Sequence, residues 1–575
     1  MASLISYMFH TVSGDNANDD SASEKARIWG PITRNLWKVF KKYKDAQDHV
    51  PLQKLRLACN ELGLLPSKCQ VYEMVQCAVE YGSPCKPDHI TFGEFCVLIS
   101  ELQNYYLLSP VSPRPRSHFK ERIETFGGKK KRRGSLAHCQ VFLGGSCNPT
   151  TWRADKAIPF FKDHEITFYN PQVQSWIPEL MELEAQAKQM ADVLFFVVDT
   201  ETRAVASMIE TAYLIACKRQ VVMVIPEYQK PSVMISEEKI SDSELSDLER
   251  ARLILTDLAE RNSVPVFTSL DPALEGTKII LSKGIRVQDL TLKDGAQPVR
   301  YGFLKLGEAL LQLREAFNSV DNTKRDKLSA KDICLAYKCC TGEDLDTDWL
   351  KRKQKLTDDY LFEEFCCIVT ENRENVHHDN FIEKLVSNVM SGPLRWIFKK
   401  IFSQPPPPCL LEVENIEDVR DVYLGGTCGG SRWREDIAEP LFRKQGLSYI
   451  NPCGNGWSRK LIPILVASRE KCRMFLYIIT NETRSVASMI EAGYYIGLGC
   501  KLILCVQKLQ KDRLLGGEQM TENGIKDYNR GRDYLCDLAN REGVPLFEDV
   551  MEAVNCVITS LSHGHANTCQ EPSHF

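Results

Sequence analysis

The sequence predicts a multidomain protein of the α/β plus α class, in which parallel-sheet modules alternate with helical modules, twice. Three observations carry this. The stretch 191–228, ADVLFFVVDTETRAVASMIETAYLIACKRQVVMVIPEY, recurs as CRMFLYIITNETRSVASMIEAGYYIGLGCKLILCVQKL towards the other end. Each copy runs from an apolar, β-branched and aromatic segment through a polar turn into helical spacing, then into a second apolar run, the strand-helix-strand pattern of a parallel sheet. Ahead of each copy lies a stretch of amphipathic helical spacing instead. At 575 residues the chain is also too long for one core, and about 100–200 residues per domain gives roughly three to five domains.

Composition narrows the function classes. The formal net charge is −4 with 26% charged residues, so no global field draws the chain to a nucleic-acid polymer or an acidic membrane. The amino terminus lacks a basic region followed by an apolar core, which reads as no secretory signal. No apolar run approaches the ~20 residues of a membrane helix. Without a signal, the 22 cysteines read as reduced thiols in a cytoplasmic protein. No cysteine pair has zinc-finger spacing, and no cofactor is expected.

The boundaries follow from shifts in pattern. Residues 1–26 are polar and read as disordered, 27–106 as a helical module, and 107–137 as a basic, proline-containing linker. An α/β module spans 138–285. A second helical module covers 300–376, a linker with a proline run 377–418, a second α/β module 419–562 and a tail 563–575. In the first linker, KKKRRGSL makes Ser135 a phosphosite candidate for a basophilic kinase, and its basic run allows nuclear import as an alternative address.

The helical modules resemble paired EF-hands. ITFGEFCVLI puts Ile90 and Glu94 where that family has its small strand and last calcium ligand, and LFEEFCCIV repeats the pattern at Glu364. The oxygen ligands are mostly missing: with Glu94 last, the first, third and fifth positions are Ser83, Cys85 and Pro87. In the second module Asp321 and Asp332 remain, the weak metal candidates of the chain, beside Thr323, Arg325 and Asp326. Calcium is therefore not expected, and the resemblance implies interaction modules for protein partners.

The α/β modules align without a gap from Gly144-Gly145 against Gly425-Gly426, through Trp152-Arg153 against Trp433-Arg434 and Trp176 against Trp457, to Glu210 against Glu491. Two glycines at a strand end require a tight turn or a close approach. A helix is expected to begin near Trp152 and Trp433. Arg203 and Arg484, in the ETR turn, are candidates for phosphate or for solvent. Arg250, Arg252, Arg530 and Arg532 read as a solvated helix face.

These residues resemble the nucleoside 2-deoxyribosyltransferase-like proteins, which include 2'-deoxynucleoside 5'-phosphate N-hydrolases, over about 139–270 and 420–550. The resemblance implies flavodoxin/Rossmann-like modules with Glu210 and Glu491 as nucleophiles. It implies Glu184 as the acid one helix earlier, where the second copy has Leu465, and Asp192 as the strand-opening acid, where the second copy has Arg473. The family's glycine ahead of the nucleophile is replaced, so Ser207 and Ser488 stand close to it. Gly144, Gly145, Ser146, Trp152, Arg153 and Ser207 would line the first site; Gly425, Gly426, Thr427 and Arg434 the second. Cleavage of an N-glycosidic bond passes through cationic character at C1', which a carboxylate stabilises or captures, while a second acid protonates the leaving base.

The expected ligand is a nucleoside or nucleotide, hydrolysed or transferred mainly in the first module. The alternative is a catalytically inactive nucleotide-binding or scaffold protein. An internal pseudo-dimer of the two α/β modules is expected in place of a homodimer.

Overall fold

The computed structural model describes residues 28–83, 88–108, 139–172, 179–229, 233–299, 306–321, 325–352, 359–372, 419–453, 465, 469, 471–511, 514–515 and 518–566. The expectations for residues 1–26, for Ser135 and its basic run, for the proline run of the second linker, and for Trp176 and Trp457 fall outside these residues. By contact the chain forms two units. One holds most of 1–112 together with 304–405, and the other holds 113–303 with 406–575 and the short piece 65–69.

In the α/β unit the first module runs β1 (Val141–Gly145), α1 (Ile158–Asp163), β2 (Phe168–Tyr169), α2 (Glu179–Met190), β3 (Val193–Val197), α3 (Val205–Ala216), β4 (Val221–Val224), α4 (Asp242–Arg261), β5 (Val266–Phe267) and α5 (Leu270–Lys283). The second module runs β6 (Arg420–Gly426), α6 (Glu439–Lys444), β7 (Tyr449–Ile450), β8 (Cys472–Ile479), α7 (Val486–Gly497), β9 (Leu502–Val506), α8 (Glu522–Arg541), β10 (Leu546–Phe547) and α9 (Val550–Ala566). Every pairing within the two five-stranded sheets is parallel, in the orders β2-β1-β3-β4-β5 and β7-β6-β8-β9-β10. That is the flavodoxin-like order, with its switch point between β1 and β3, so each module is a Rossmann-like α/β layer. The central strands VLFFV and VVMV are buried at every position because helices cover both faces.

The double glycine is explained by the register. Gly144 lies opposite Phe196, and a Cβ there would stand 2.5 Å from that ring; at Gly425 the ring is Tyr477, at 2.6 Å. Gly145 and Gly426 have φ of 98° and 103°, and a side chain would strike the carbonyls of Val197 and Ile478.

The modules pack through α3 and α7, and one hydrophobic cluster includes Val205, Met208 and Ile209 with Val486, Met489 and Ile490. Gly493 and Gly531 let the helices close: added Cβ atoms would lie 2.8 Å from Ile209 and 2.4 Å from Val205. The ETR arginines are not solvated, and Arg484 also borders an open pocket with Thr427 and Ser488. Arg203 is buried and bonds Glu244, Glu238 and, across the modules, Asp527; Arg484 bonds Glu518 and, across the modules, Asp247.

The helix-face reading of Arg252 and Arg532 is also corrected. Both are buried, Arg252 donating to the carbonyls of Pro226 and Val198, and Arg532 to those of Gln507, Thr480 and Thr483. A guanidinium with several donors can cap strand ends that no other group reaches.

In the helical unit, helices Pro31–Tyr43, Leu52–Glu61, Lys68–Tyr81 and Phe92–Leu108 are followed, after the first α/β module, by Glu308–Val320, Ala330–Thr341, Thr347–Arg352 and Phe362–Asn372. Two-stranded antiparallel links join Val50 to Ile90 and Leu328 to Tyr360. The two sets of helices share one apolar core around Phe40, Phe92, Phe95, Phe317, Phe362 and Phe365.

Glu94 is buried, and its carboxylate accepts the backbone N–H groups of Ser83 (2.7 Å) and Thr91 (2.8 Å). Asp321 likewise accepts the N–H of Asp326, and Asp332 accepts the hydroxyl of Ser329.

The reading of all cysteines as reduced is corrected by a Cys428–Cys453 disulfide. Its halves lie 25 residues apart, in the loops that leave the paired strands β6 and β7. In the first module the equivalent Cys147 is an exposed free thiol, with Gln172 in place of the second cysteine.

Candidate functional site

Glu210 lies on the second turn of α3. Its carboxylate meets Lys188 of α2, with Nζ 2.5 Å from Oε1, and Lys188 also stands 3.3 Å from Glu184 one helical turn earlier. Two of the predicted acids are therefore brought together, joined by an ammonium that the sequence reading passed over. Burial works against the Lys188 charge, but Glu210 and Glu184 outweigh it and raise its pKa above the ordinary value. Tyr534, from α8 of the other copy, hydrogen-bonds the Glu210 carboxylate. Burial first, and then Glu210, raise its phenol well above the usual range, so it stays a donor.

The second copy rebuilds this arrangement with different chemistry. Arg469, at the position of Lys188, donates from Nη2 to Glu491 Oε1 at 2.7 Å, and the Tyr477 hydroxyl lies 3.5 Å from Oε2. Leu465 takes the place of Glu184, so one carboxylate is lost. A cavity of about 40 Å³ remains beside Glu491, walled partly by α4 of the first module. That is room for a few waters or one small polyatomic ion.

The remaining predicted residues divide into two groups. Gly144, Gly145, Gly425 and Gly426 form the strand-end turns, and Gly425 and Gly426 border the cavity. Ser207 is half-buried beside Glu210, its carbonyl accepting from Thr211, while Ser488 donates to the Gly426 carbonyl and lines the cavity.

Ser146, Trp152 and Arg153 turn inward instead. Arg153 is 1% exposed and donates to the carbonyls of Leu143, Ser146 and Gly145 while stacking on Trp152, whose own N–H bonds the Ser146 carbonyl. The Ser146 hydroxyl is taken up by Thr202 and the Asp199 N–H. Thr427 and Arg434 repeat this: Arg434 bonds the carbonyls of Leu424, Thr427 and Gly426, and Thr427 bonds Ser485 and Thr480. Burial lowers Arg434 to about 10. The expectation that Trp152, Arg153 and Arg434 line a ligand site is thus replaced by a clamp on the Gly-Gly loop.

Asp192 precedes β3 and is exposed near Cys139, at the amino end of the strands. The aspartate at the carboxyl end is Asp199, which the sequence reading missed. One of its oxygens accepts from Glu201 and Thr202, and the other is buried without a hydrogen-bond partner among the described residues. Its signal was its place directly after the strand, where open α/β sheets bind ligands.

Both modules match the family of nucleoside 2-deoxyribosyltransferase-like proteins, over residues 138–228 and 419–509, so the chain carries two tandem copies of that domain. The match ends before α4 and α8, the helices by which each copy reaches the other's glutamate. No curated protein and no solved structure matches the chain significantly. Among the described residues no helix is long and apolar enough to cross a membrane.

Proposed function

We propose that the first α/β module cleaves the N-glycosidic bond of a nucleoside or nucleotide, with Glu210 as nucleophile and Glu184 as acid. The observation that carries the reading is the grouping of Glu210 and Glu184 around one ammonium in a module of a nucleoside-processing family. Lys188 offsets the repulsion between two carboxylates, letting both stand where one substrate can meet them.

In the proposed reaction a Glu210 oxygen bonds to C1' as the C1'–N bond breaks. The electron pair leaves with the base, and Glu184 supplies its proton. Lys188, with its raised pKa, is too weak an acid for that role. Water then releases the sugar, giving hydrolysis, or a second base takes it, giving transfer. Asp199 is a closer candidate than Asp192 for an additional polar contact to the substrate.

In the second module Leu465 removes the acid, which favours the alternative reading, a binding module without turnover, for that half. The reciprocal contacts of α3, α4, α7 and α8 support an internal pseudo-dimer. The EF-hand-like unit, with its short antiparallel links and its Glu94 and Glu364 bonded to backbone, is proposed as an interaction module for a protein partner.

The test is free-base release from nucleosides, deoxynucleosides and their 5'-monophosphates. Glu210→Gln is expected to lower release by about three orders of magnitude and Glu491→Gln to leave it near wild type. Equal losses would refute the division between modules. No release from any substrate, with one of them still raising the melting temperature, would replace catalysis by binding.

A further inference from the structure

We propose that the cavity beside Glu491 is a binding site for a phosphate-sized oxyanion, distinct in chemistry from the Glu210 site. Its walls are Arg469, Tyr423 and Glu491 of the second module with Arg250, Asp257 and Arg261 of α4. Three guanidinium groups there face two carboxylates, an excess of one positive charge inside a largely buried space. At the positions that correspond to Leu465, Arg469 and Glu491, the first module has two acids and one lysine, a net negative group. At those three positions the second module is neutral, so the loss of one carboxylate makes the site one charge less negative than its counterpart.

Unsatisfied polar atoms point the same way. The Tyr423 hydroxyl is fully buried beside the Arg469 guanidinium, which is itself 6% exposed; neither the hydroxyl nor Arg469 Nε completes a well-aligned hydrogen bond among the described residues. A buried polar atom without a well-made hydrogen bond carries a desolvation cost, which an acceptor entering the cavity would relieve at the Arg469 side chain.

A planar guanidinium suits a tetrahedral oxyanion better than the ammonium it replaces, because it offers two parallel donors. Glu491 already takes one Arg469 nitrogen, leaving Nε for the guest. Asp257 Oδ1, in the same wall and without a well-made hydrogen bond among the described residues, suits the P–OH of a monobasic phosphate. Burial lowers the pKa of Arg250, with Glu491 and Asp247 opposing it, and an added anion would relieve that cost. The volume of about 40 Å³ admits a phosphoryl group. This inference does not rest on catalysis by the first module.

The experiment is calorimetric titration of the full chain with inorganic phosphate, a nucleoside 5'-monophosphate and the matching nucleoside, at constant ionic strength. Wild type is expected to bind phosphate saturably. Tyr423→Phe, which removes one oxygen, and Arg250→Gln, on the opposite wall, are each expected to weaken it about tenfold with an unchanged melting temperature. If only phosphate binding is lost in the variants, the ligand is free phosphate. If a nucleotide component is lost with it, the ligand is the phosphate of a nucleotide. Absence of saturable phosphate and nucleotide binding to wild type, or binding indifferent to both substitutions, would overturn the proposal.

Discussion

Glu210 and Glu491 occupy the same helical position, yet Lys188 and Arg469 give them different surroundings. The glutamates were legible because VASMIE is identical in both copies. The cations were not, although both stand 22 residues ahead of their glutamate. A cation in a helix without an apolar motif reads as solvent-facing, and only the packing of α2 on α3 turns it inward. Arg153 misled for the opposite reason: an arginine beside a Gly-Gly loop looks like an anion ligand, and burial spends it on carbonyls. Lys188→Met is expected to destabilise the protein by about 3 kcal/mol at neutral pH, because it leaves two carboxylates sharing a largely buried site. Lys188→Arg should recover most of that loss in a denaturant titration. Since the folded pKa of Lys188 is raised, its contribution is fully present below the ordinary lysine value and is lost as pH rises through the folded one.

Among the elements, strand-helix-strand order was readable because a parallel strand buried on both faces is a continuous apolar run. Helix α4 was harder: its arginines looked like a wet face, whereas Arg252 points down into the strand ends. The helical modules were legible as amphipathic spacing, whereas the burial of Glu94 against backbone N–H groups was not. Burial raises its pKa from 4.5 to about 7 against the two backbone hydrogen bonds that lower it. Because this folded pKa lies above the unfolded one, the folded state holds the extra proton between about pH 4.5 and 7, and stability falls as pH rises through that window. The loss amounts to about 3 kcal/mol. Glu94→Gln is expected to flatten the change in denaturation midpoint between pH 5 and 8. An unchanged slope would mean that the carboxylate is not the group responsible.

At the scale of the whole α/β unit, the duplication is reciprocal in detail. Arg203 reaches Asp527 and Arg484 reaches Asp247; the Tyr213 hydroxyl donates to Glu542, and the Tyr494 hydroxyl accepts from Asn262. None of this was visible as contact in the sequence, where the arginines were merely aligned, because it depends on each α4-type helix lying on the other copy. The two modules should accordingly open together. Arg203 is almost wholly buried with the carboxylate of Glu244, to which Tyr528 of the other copy also donates. Arg203→Ala would strand that carboxylate at a cost of about 3 kcal/mol, and the strain falls on a surface that both modules share. Hydrogen exchange measures where the cost appears. If the modules form one cooperative unit, protection falls by the same factor in β1 and β3 as in β6 and β8, although the substitution lies in the first module alone. Loss confined to β1 and β3 would instead mean two independently stable domains. The composite walls around Glu210 and Glu491 would then be contacts that opening can break without unfolding either sheet.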